Sequence, residues 1–418
     1  MSSHLGSPTR RAALALLEAV MTRHRPLEEA LDALPKGIAP RDKAAAHRIA
    51  GAVLRRAGSL DAVLEPFLRR EPPSEVRQAL RMGAAELLLL GTPAHAAVAS
   101  CVTLVPKPFT GLANAVLRRV AEAGAAALDG LDAERLDTPP WLWSAWHAAY
   151  GPGVRAIAAA HRAEAPLDLS LAPGVAAPEG GEALPTGSWR YPPGTRVAEM
   201  EGFAEGGFWV QDAAAALPAR VLGVRPGERV LDLCAAPGGK TAQLVAAGGQ
   251  VVAVEREPRR AARLRENLAR LRLEAEVVEA DAAAWDAGGA VFDAVLLDAP
   301  CTATGTIRRH PDVPYLKRSR DVPAMAEVQR ALLAAAARRV APGGRLVFAT
   351  CSLQPEEGEG HAAPEGFVAD PVRADEVPGL EAAVTPAGTL RTRPDLWAER
   401  GGMDGFFVAR WRRDSPAA

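Results

Sequence analysis

Cysteine is scarce: there are four in a chain of 418, and none are spaced as Cys-x-x-Cys. That excludes a disulfide framework and a thiolate zinc cluster, so no metal is expected, and single thiols stay free for chemistry in a reducing compartment. An excess of one charge is missing too. Lys and Arg number 49 against 50 Asp and Glu, a net charge of −1, so a nucleic-acid partner has to be argued from local patches. Long apolar runs are absent. Stretches such as Ala84–Leu90 fall well short of the roughly 20 residues a membrane span needs, and Met1–Arg11 holds no apolar segment of the secretory kind. A cytoplasmic protein with no membrane partner is expected. What is present is 48% hydrophobic and 24% charged residues, a globular profile that excludes wholesale disorder. The length calls for two or three domains.

The first third reads as helices. Ser7-Pro8 suits a cap followed by proline at the first helical position, and Ala13, Leu14, Leu17, Val20 and Met21 recur on one helical face. Stretches near 41–57, 74–90, 94–105 and 112–123 keep that period, so an all-helical domain is expected over residues 1–136. Asp137-Thr-Pro-Pro140 reads as a linker, and Trp141, Trp143, Trp146 and Tyr150 as a packing plug. A small mixed α/β subdomain is expected over 137–210, with short strands at 167–171, 196–200 and 208–211. From 211 to 418 strands and helices alternate. Strands are expected at 228–234, 250–255, 274–279, 292–298 and 344–349, and a late one at 406–411. Such alternation makes a Rossmann-like, doubly wound α/β sheet whose ligands bind beyond the carboxyl ends of its strands.

The turn after the first of those strands reads Asp232-Leu-Cys-Ala-Ala-Pro-Gly-Gly-Lys-Thr241. It is glycine-rich, so its backbone can approach a ligand, but its spacing is neither a P-loop nor a dinucleotide fingerprint. Cys234, Ala235, Ala236, Pro237, Gly238, Gly239 and Lys240 are the candidate cofactor loop. Glu255 ends the second strand, where a carboxylate can hold ribose hydroxyls, and Asp281 follows the third, placed to meet an adenine. A loop and two acids in register suit S-adenosylmethionine.

The fourth strand ends in Asp298-Ala-Pro-Cys301, and the fifth in Thr350-Cys351-Ser352. Adjacent strand ends would bring both thiols to one site, whereas Cys101 and Cys234 read as core residues. Two thiols beside a methyl donor suit carbon 5 of a pyrimidine. A thiolate adding to carbon 6 makes carbon 5 nucleophilic, a base must then take the C5 proton, and Asp298 can hold the N3/N4 edge.

These residues resemble the bacterial 16S ribosomal RNA cytosine-5 methyltransferases of the Fmu/Sun (RsmB) type, in the NOL1/NOP2/Sun family of RNA 5-methylcytosine methyltransferases. The matching segments are Asp232–Thr241, Asp298–Asp312, Ala349–Ser352, Gly207–Asp212 and Gly402–Phe407. The helical part resembles a NusB-like RNA-binding domain ending in Gly111–Arg118. The resemblance implies a class I methyltransferase domain over 211–418 and S-adenosylmethionine as donor. It implies attack on C6 by Cys351, release assisted by Cys301, and cofactor contacts from Cys234–Lys240, Glu255, Asp281 and Asp298. Ala303 stands where the family commonly has glycine.

Arg308, Arg309 and His310 follow the Cys301 loop, with Lys317, Arg318 and Arg320 close behind. Beside a thiol site such a run is expected to hold RNA phosphates. Arg10, Arg11, Arg55, Arg56, Arg118 and Arg119 could extend the track or be structural. The expectation is a monomeric enzyme that forms 5-methylcytosine in 16S rRNA, free or in an assembling small subunit, with no DNA partner. The rivals are a transfer-RNA cytosine methyltransferase and a non-catalytic RNA-binding factor.

Overall fold

The structure is a computed structural model that describes residues 8–415, so the Ser7 cap lies outside the described residues. Two compact units emerge. One holds the chain up to Ala163 together with Ile307–Ser319, and the other holds Glu164–Thr306 and the chain from Arg320 onward.

The first unit is helical, with α1 (Pro8–Met21), α2 (Leu27–Asp32), α3 (Pro40–Leu64), α4 (Ser74–Leu88), α5 (Ala94–Val102), α6 (Thr110–Ala123), α7 (Ala133–Leu136), α8 (Pro140–Tyr150) and α9 (Val154–Arg162). Its helices form because their apolar residues recur with the helical repeat. In α1, Ala13, Leu16, Leu17 and Val20 are 0% exposed, and in α6 Ala113, Val116, Leu117 and Val120 are buried. Each large side chain buried this way contributes about 1.5–3 kcal/mol. Cys101 is in this core, as expected, and its thiol donates to the Ala79 carbonyl at 3.1 Å.

The expected boundary after residue 136 falls inside this unit. Asp137 is no loose linker. Its carboxylate accepts from the Ser59 backbone N–H at 2.7 Å, the Ser59 hydroxyl at 2.8 Å and Arg162 Nε at 2.9 Å. Trp146 is 1% exposed against His161. Residues 307–319 also belong here. The Leu27 N–H donates to Asp312 at 2.8 Å, Arg55 Nη2 to the Arg308 carbonyl at 2.9 Å, and the Tyr315 hydroxyl to the Leu54 carbonyl at 2.8 Å.

This corrects the reading of the basic run. Arg308 is 1% exposed, so its guanidinium is buried rather than offered to phosphate. Arg309 is half-buried and His310 exposed. Arg10 is structural as well, held on both oxygens of the buried Glu86.

In the second unit β1 (Leu167–Leu171), β2 (Glu182–Ala183), β3 (Trp189–Tyr191) and β4 (Phe208–Val210) form an antiparallel sheet in the order β2-β3-β1-β4. The segment 196–200, expected as a strand, is a 3-10 turn at Val197–Glu199. Glu199 and Met200 donate their N–H groups to the nearby Arg196 and Val197 carbonyls, so those groups do not join a ladder. The expected boundary after 210 also falls inside one unit. Arg190 donates to both oxygens of the fully buried Asp168 at 2.7 Å and to the carbonyls of Arg400 and Gly402 at 2.9 and 2.7 Å. Removing one partner of such a buried pair costs about 3–5 kcal/mol.

The large sheet follows: α10 (Leu217–Leu222), β5 (Arg229–Leu233), α11 (Gly239–Ala246), β6 (Gln250–Glu255), α12 (Pro258–Leu271), β7 (Glu276–Glu279) and β8 (Phe292–Asp298). Then, past the turn α13 (Val313–Leu316) of the first unit, come α14 (Asp321–Arg338), β9 (Val340–Thr350), β10 (Phe367–Ala369), β11 (Leu390–Arg391) and β12 (Phe407–Arg413). The strand order is β10-β12-β9-β8-β5-β6-β7, with β11 on β12. The strands β7, β6, β5, β8 and β9 are mutually parallel, and β12 runs antiparallel to β9. Both faces are covered. Along β8, Ala294 and Leu296 enter one core while Val295 and Leu297 enter the other, the period-two alternation of a strand buried on both sides. The chain leaves β5 toward β6 on one side and returns to β8 on the other, so a crevice opens at the carboxyl ends of β5 and β8.

Candidate active site

The loop after β5 is shaped by backbone that tolerates left-handed angles. Cys234 has φ 61° and Gly238 φ 103°, and a Cβ on Gly238 would stand 2.4 Å from Leu264 Cδ1, so only glycine fits. The Ala235 N–H donates to the Val254 carbonyl at 3.1 Å, and the Thr241 hydroxyl to Asp232 at 2.6 Å. The loop is thereby tied to β6 and β5 at its two ends. Burial pushes the carboxyl of Asp232 up to about 7 and the Cys234 thiol up to about 12. Cys234 is therefore a neutral wall of the loop.

The residues present fit S-adenosylmethionine. Gly238 and Gly239 leave the loop backbone bare at the start of α11. Glu255, 3% exposed at the end of β6, keeps its carboxylate beside the Ala236 N–H at 3.4 Å and Arg260 at 3.4 Å. Asp281 is exposed just past β7, with one oxygen accepting from the Ala283 N–H at 3.0 Å. Between this loop and the thiols stands Lys240, whose ammonium meets Asp298 at 2.7 Å and lies 5.2 Å from the centre of the Phe406 ring. Burial opposes the Lys240 charge, but Asp298 outweighs it, so the ammonium is held above its ordinary range.

The two thiols meet. Asp298 of β8 pairs in register with Ala349 of β9, so the loops leaving these neighbouring strands start side by side, and the Cys301 and Cys351 sulfurs lie 3.4 Å apart. Both cysteines are free and half-buried. The hydrogen bond to Cys351, then burial, raise Cys301 well above the usual thiol range. Either sulfur can donate to the other across this contact. Ala303, at φ 57°, occupies a left-handed position that glycine would fill without strain.

The second unit therefore brings together Cys301, Cys351, Asp298, Lys240 and the loop 234–240, while Arg308, Arg309 and His310 belong to the helical unit. One group escaped the sequence reading. Glu357 is 0% exposed, yet in sequence it is one of a Glu-Glu pair among Pro and Gly, a pattern that normally marks a solvated loop. Among the described residues no helix is long and apolar enough to cross a membrane.

A family model described as 16S rRNA methyltransferase RsmB/F matches residues 219–412, and the NusB family model matches residues 7–122. The ribosomal RNA small subunit methyltransferase B of Pseudomonas putida is 36% identical over 436 residues, spanning 96% of this chain and 97% of that protein. Its counterpart in Vibrio cholerae is 37% identical over 379 residues, spanning 83% and 86%. The crystal structure of a methyltransferase homolog protein from Pyrococcus horikoshii is 25% identical, with a TM-score of 0.54 over 65% of this chain and 93% of that one.

Proposed function

The chain belongs to the RsmB/F family of 16S rRNA methyltransferases and is an S-adenosylmethionine-dependent rRNA methyltransferase, and on that premise we propose that it forms 5-methylcytosine in 16S rRNA through a covalent bond between Cys351 and C6 of the base. The observation that carries this reading is the 3.4 Å separation of the Cys301 and Cys351 sulfurs at neighbouring strand ends. One pyrimidine ring can meet both.

S-adenosylmethionine, when bound, supplies an electrophilic methyl group. The Cys234–Lys240 loop, Glu255 and Asp281 would hold it. Cys351 is the sulfur that attacks C6, the role that the family resemblance implies for the cysteine following Thr350. Asp298, paired with Lys240, accepts from the N3/N4 edge of the base and fixes the ring over the thiols. Once C5 carries the methyl group, Cys301 in its thiolate form takes the C5 proton, the C5–H electron pair forms the C5=C6 double bond, and the C6–S pair leaves with Cys351, which restores the aromatic ring. The base has to be unstacked to reach both sulfurs, so an accessible loop or an opened helix is the substrate. Arg309 and His310, with Lys317, Arg318 and Arg320 behind them, remain the members of the basic run proposed to meet RNA.

The test is a denaturing gel with 16S rRNA and S-adenosylmethionine. Cys301→Ala traps a protein–RNA adduct that survives denaturation, and the wild type turns over without accumulating one. No adduct from Cys301→Ala overturns the assignment of roles. Bisulfite sequencing of the product locates the modified cytosine, and its absence from 16S rRNA overturns the choice of substrate.

A further inference from the structure

The thiol pair is held by groups that touch neither sulfur. Glu357, in the turn Pro355–Glu357 beyond Cys351, sends its carboxylate into the protein interior. There it accepts the Thr302 N–H at 2.9 Å, the Thr302 hydroxyl, the Ser352 hydroxyl at 2.6 Å and the Gln329 amide at 3.2 Å. Its backbone carbonyl accepts the Thr350 hydroxyl at 2.9 Å. Gln329 of α14 uses the same amide nitrogen to hold the Pro300 carbonyl at 2.9 Å. Its carbonyl oxygen faces His361 Nε2 at 2.9 Å. The Gln329 nitrogen already faces two oxygen acceptors, so its oxygen is left as the acceptor toward His361, in the imidazole tautomer protonated at Nε2.

The residues on both sides of each cysteine are therefore anchored to one group. Thr350 and Ser352 flank Cys351 and bind Glu357. Thr302 follows Cys301 and binds Glu357, while Pro300 precedes it and is held through Gln329. A carboxylate buried this deeply is costly unless its lone pairs are filled by donors, and here every donor comes from a cysteine loop or from the residue that braces one. We propose that Glu357 is a positioning residue for methyl transfer, the group that fixes the Cys301 and Cys351 loops at the spacing one pyrimidine requires. This rests on the cysteine chemistry proposed above.

The test is Glu357→Gln in the full chain. The amide nitrogen of Gln faces donors where an oxygen accepted, so the two loops lose a shared anchor while the volume is kept. A displacement of about 1 Å at reacting groups costs on the order of 100-fold in rate. The expected result is a fall of about 100-fold in kcat, with KM for S-adenosylmethionine within twofold of wild type. Alkylation of Cys351 by iodoacetamide, followed across pH by peptide mass spectrometry, is expected to shift its profile, which a merely structural residue would not cause. Thr302→Val and Ser352→Ala each remove one donor. They should lower kcat by about tenfold and add little in the Glu357→Gln background. If Glu357→Gln fails to fold, these two variants carry the test alone. Unchanged kcat and unchanged alkylation in Glu357→Gln, or in both donor variants, overturns the inference. So does a loss of S-adenosylmethionine binding in proportion to kcat. If the cysteine chemistry itself is wrong, wild type forms no 5-methylcytosine. If only the positioning role is wrong, wild type and Glu357→Gln form it alike.

Discussion

Cys301 and Arg308 lie in one short stretch of chain, yet Cys301 belongs to the unit built on the mixed sheet and Arg308 to the helical one. Both stand out in the sequence as chemical groups. The cysteine meets its partner because β8 and β9 are hydrogen-bonded neighbours in register, which brings the two exits together. The arginine is buried, and its carbonyl is bound by Arg55. A reactive side chain just past a strand end is placed by the sheet. A charge run between elements goes wherever packing takes it.

The sharpest way to break this contrast is at the sulfur itself. Cys351→Ala should lower methyl transfer by about 10⁴-fold or more, read as 5-methylcytosine per enzyme, with S-adenosylmethionine binding retained. Appreciable activity would mean that the sheet brought the thiols together without using them. Next comes Lys240→Met, which leaves Asp298 without its 2.7 Å partner. A loss of about 100-fold in kcat/KM is expected, and a change below threefold would detach this pair from the site.

Asp232 sharpens the framework side. Its carboxyl, pushed up to about 7 by burial, binds its proton more tightly in the folded chain than in the unfolded one, where it titrates near 4. Its contribution to stability is therefore complete below about pH 4 and is lost as pH rises through about 7. Compared with Asp232→Asn in urea titrations, the wild type should lose roughly 1–3 kcal/mol between pH 5 and pH 8. A difference that does not vary with pH would refute this. The smallest effect on RNA is expected at the arginine. Arg308→Ala should cost about 1–3 kcal/mol of stability and leave the salt dependence of RNA binding unchanged. A slope reduced by about one unit would return Arg308 to the phosphates.

Much of the site is legible in the amino-acid sequence because its residues are tied to strand ends. The loop 234–240, Glu255, Asp281, Asp298 and both cysteines follow runs whose period and length mark strands. The short strands β2 and β3 are not legible, since two or three residues carry no period. Nor is Glu357: a carboxylate is usually solvated, and nothing in Pro355-Glu-Glu-Gly358 says that the second glutamate turns inward.

By itself, then, the sequence determined the helical and the alternating halves, the glycine that the loop at 238 demands, and the two thiols that follow strand ends. These are local properties of period, backbone freedom and position. Only the tertiary structure decided that the helical unit reaches Ala163 and takes in residues 307–319, that Arg308 is buried, and that one carboxylate holds both cysteine loops. Those outcomes depend on which distant groups come to share a dry interior, and a buried polar group is stable only where such partners converge.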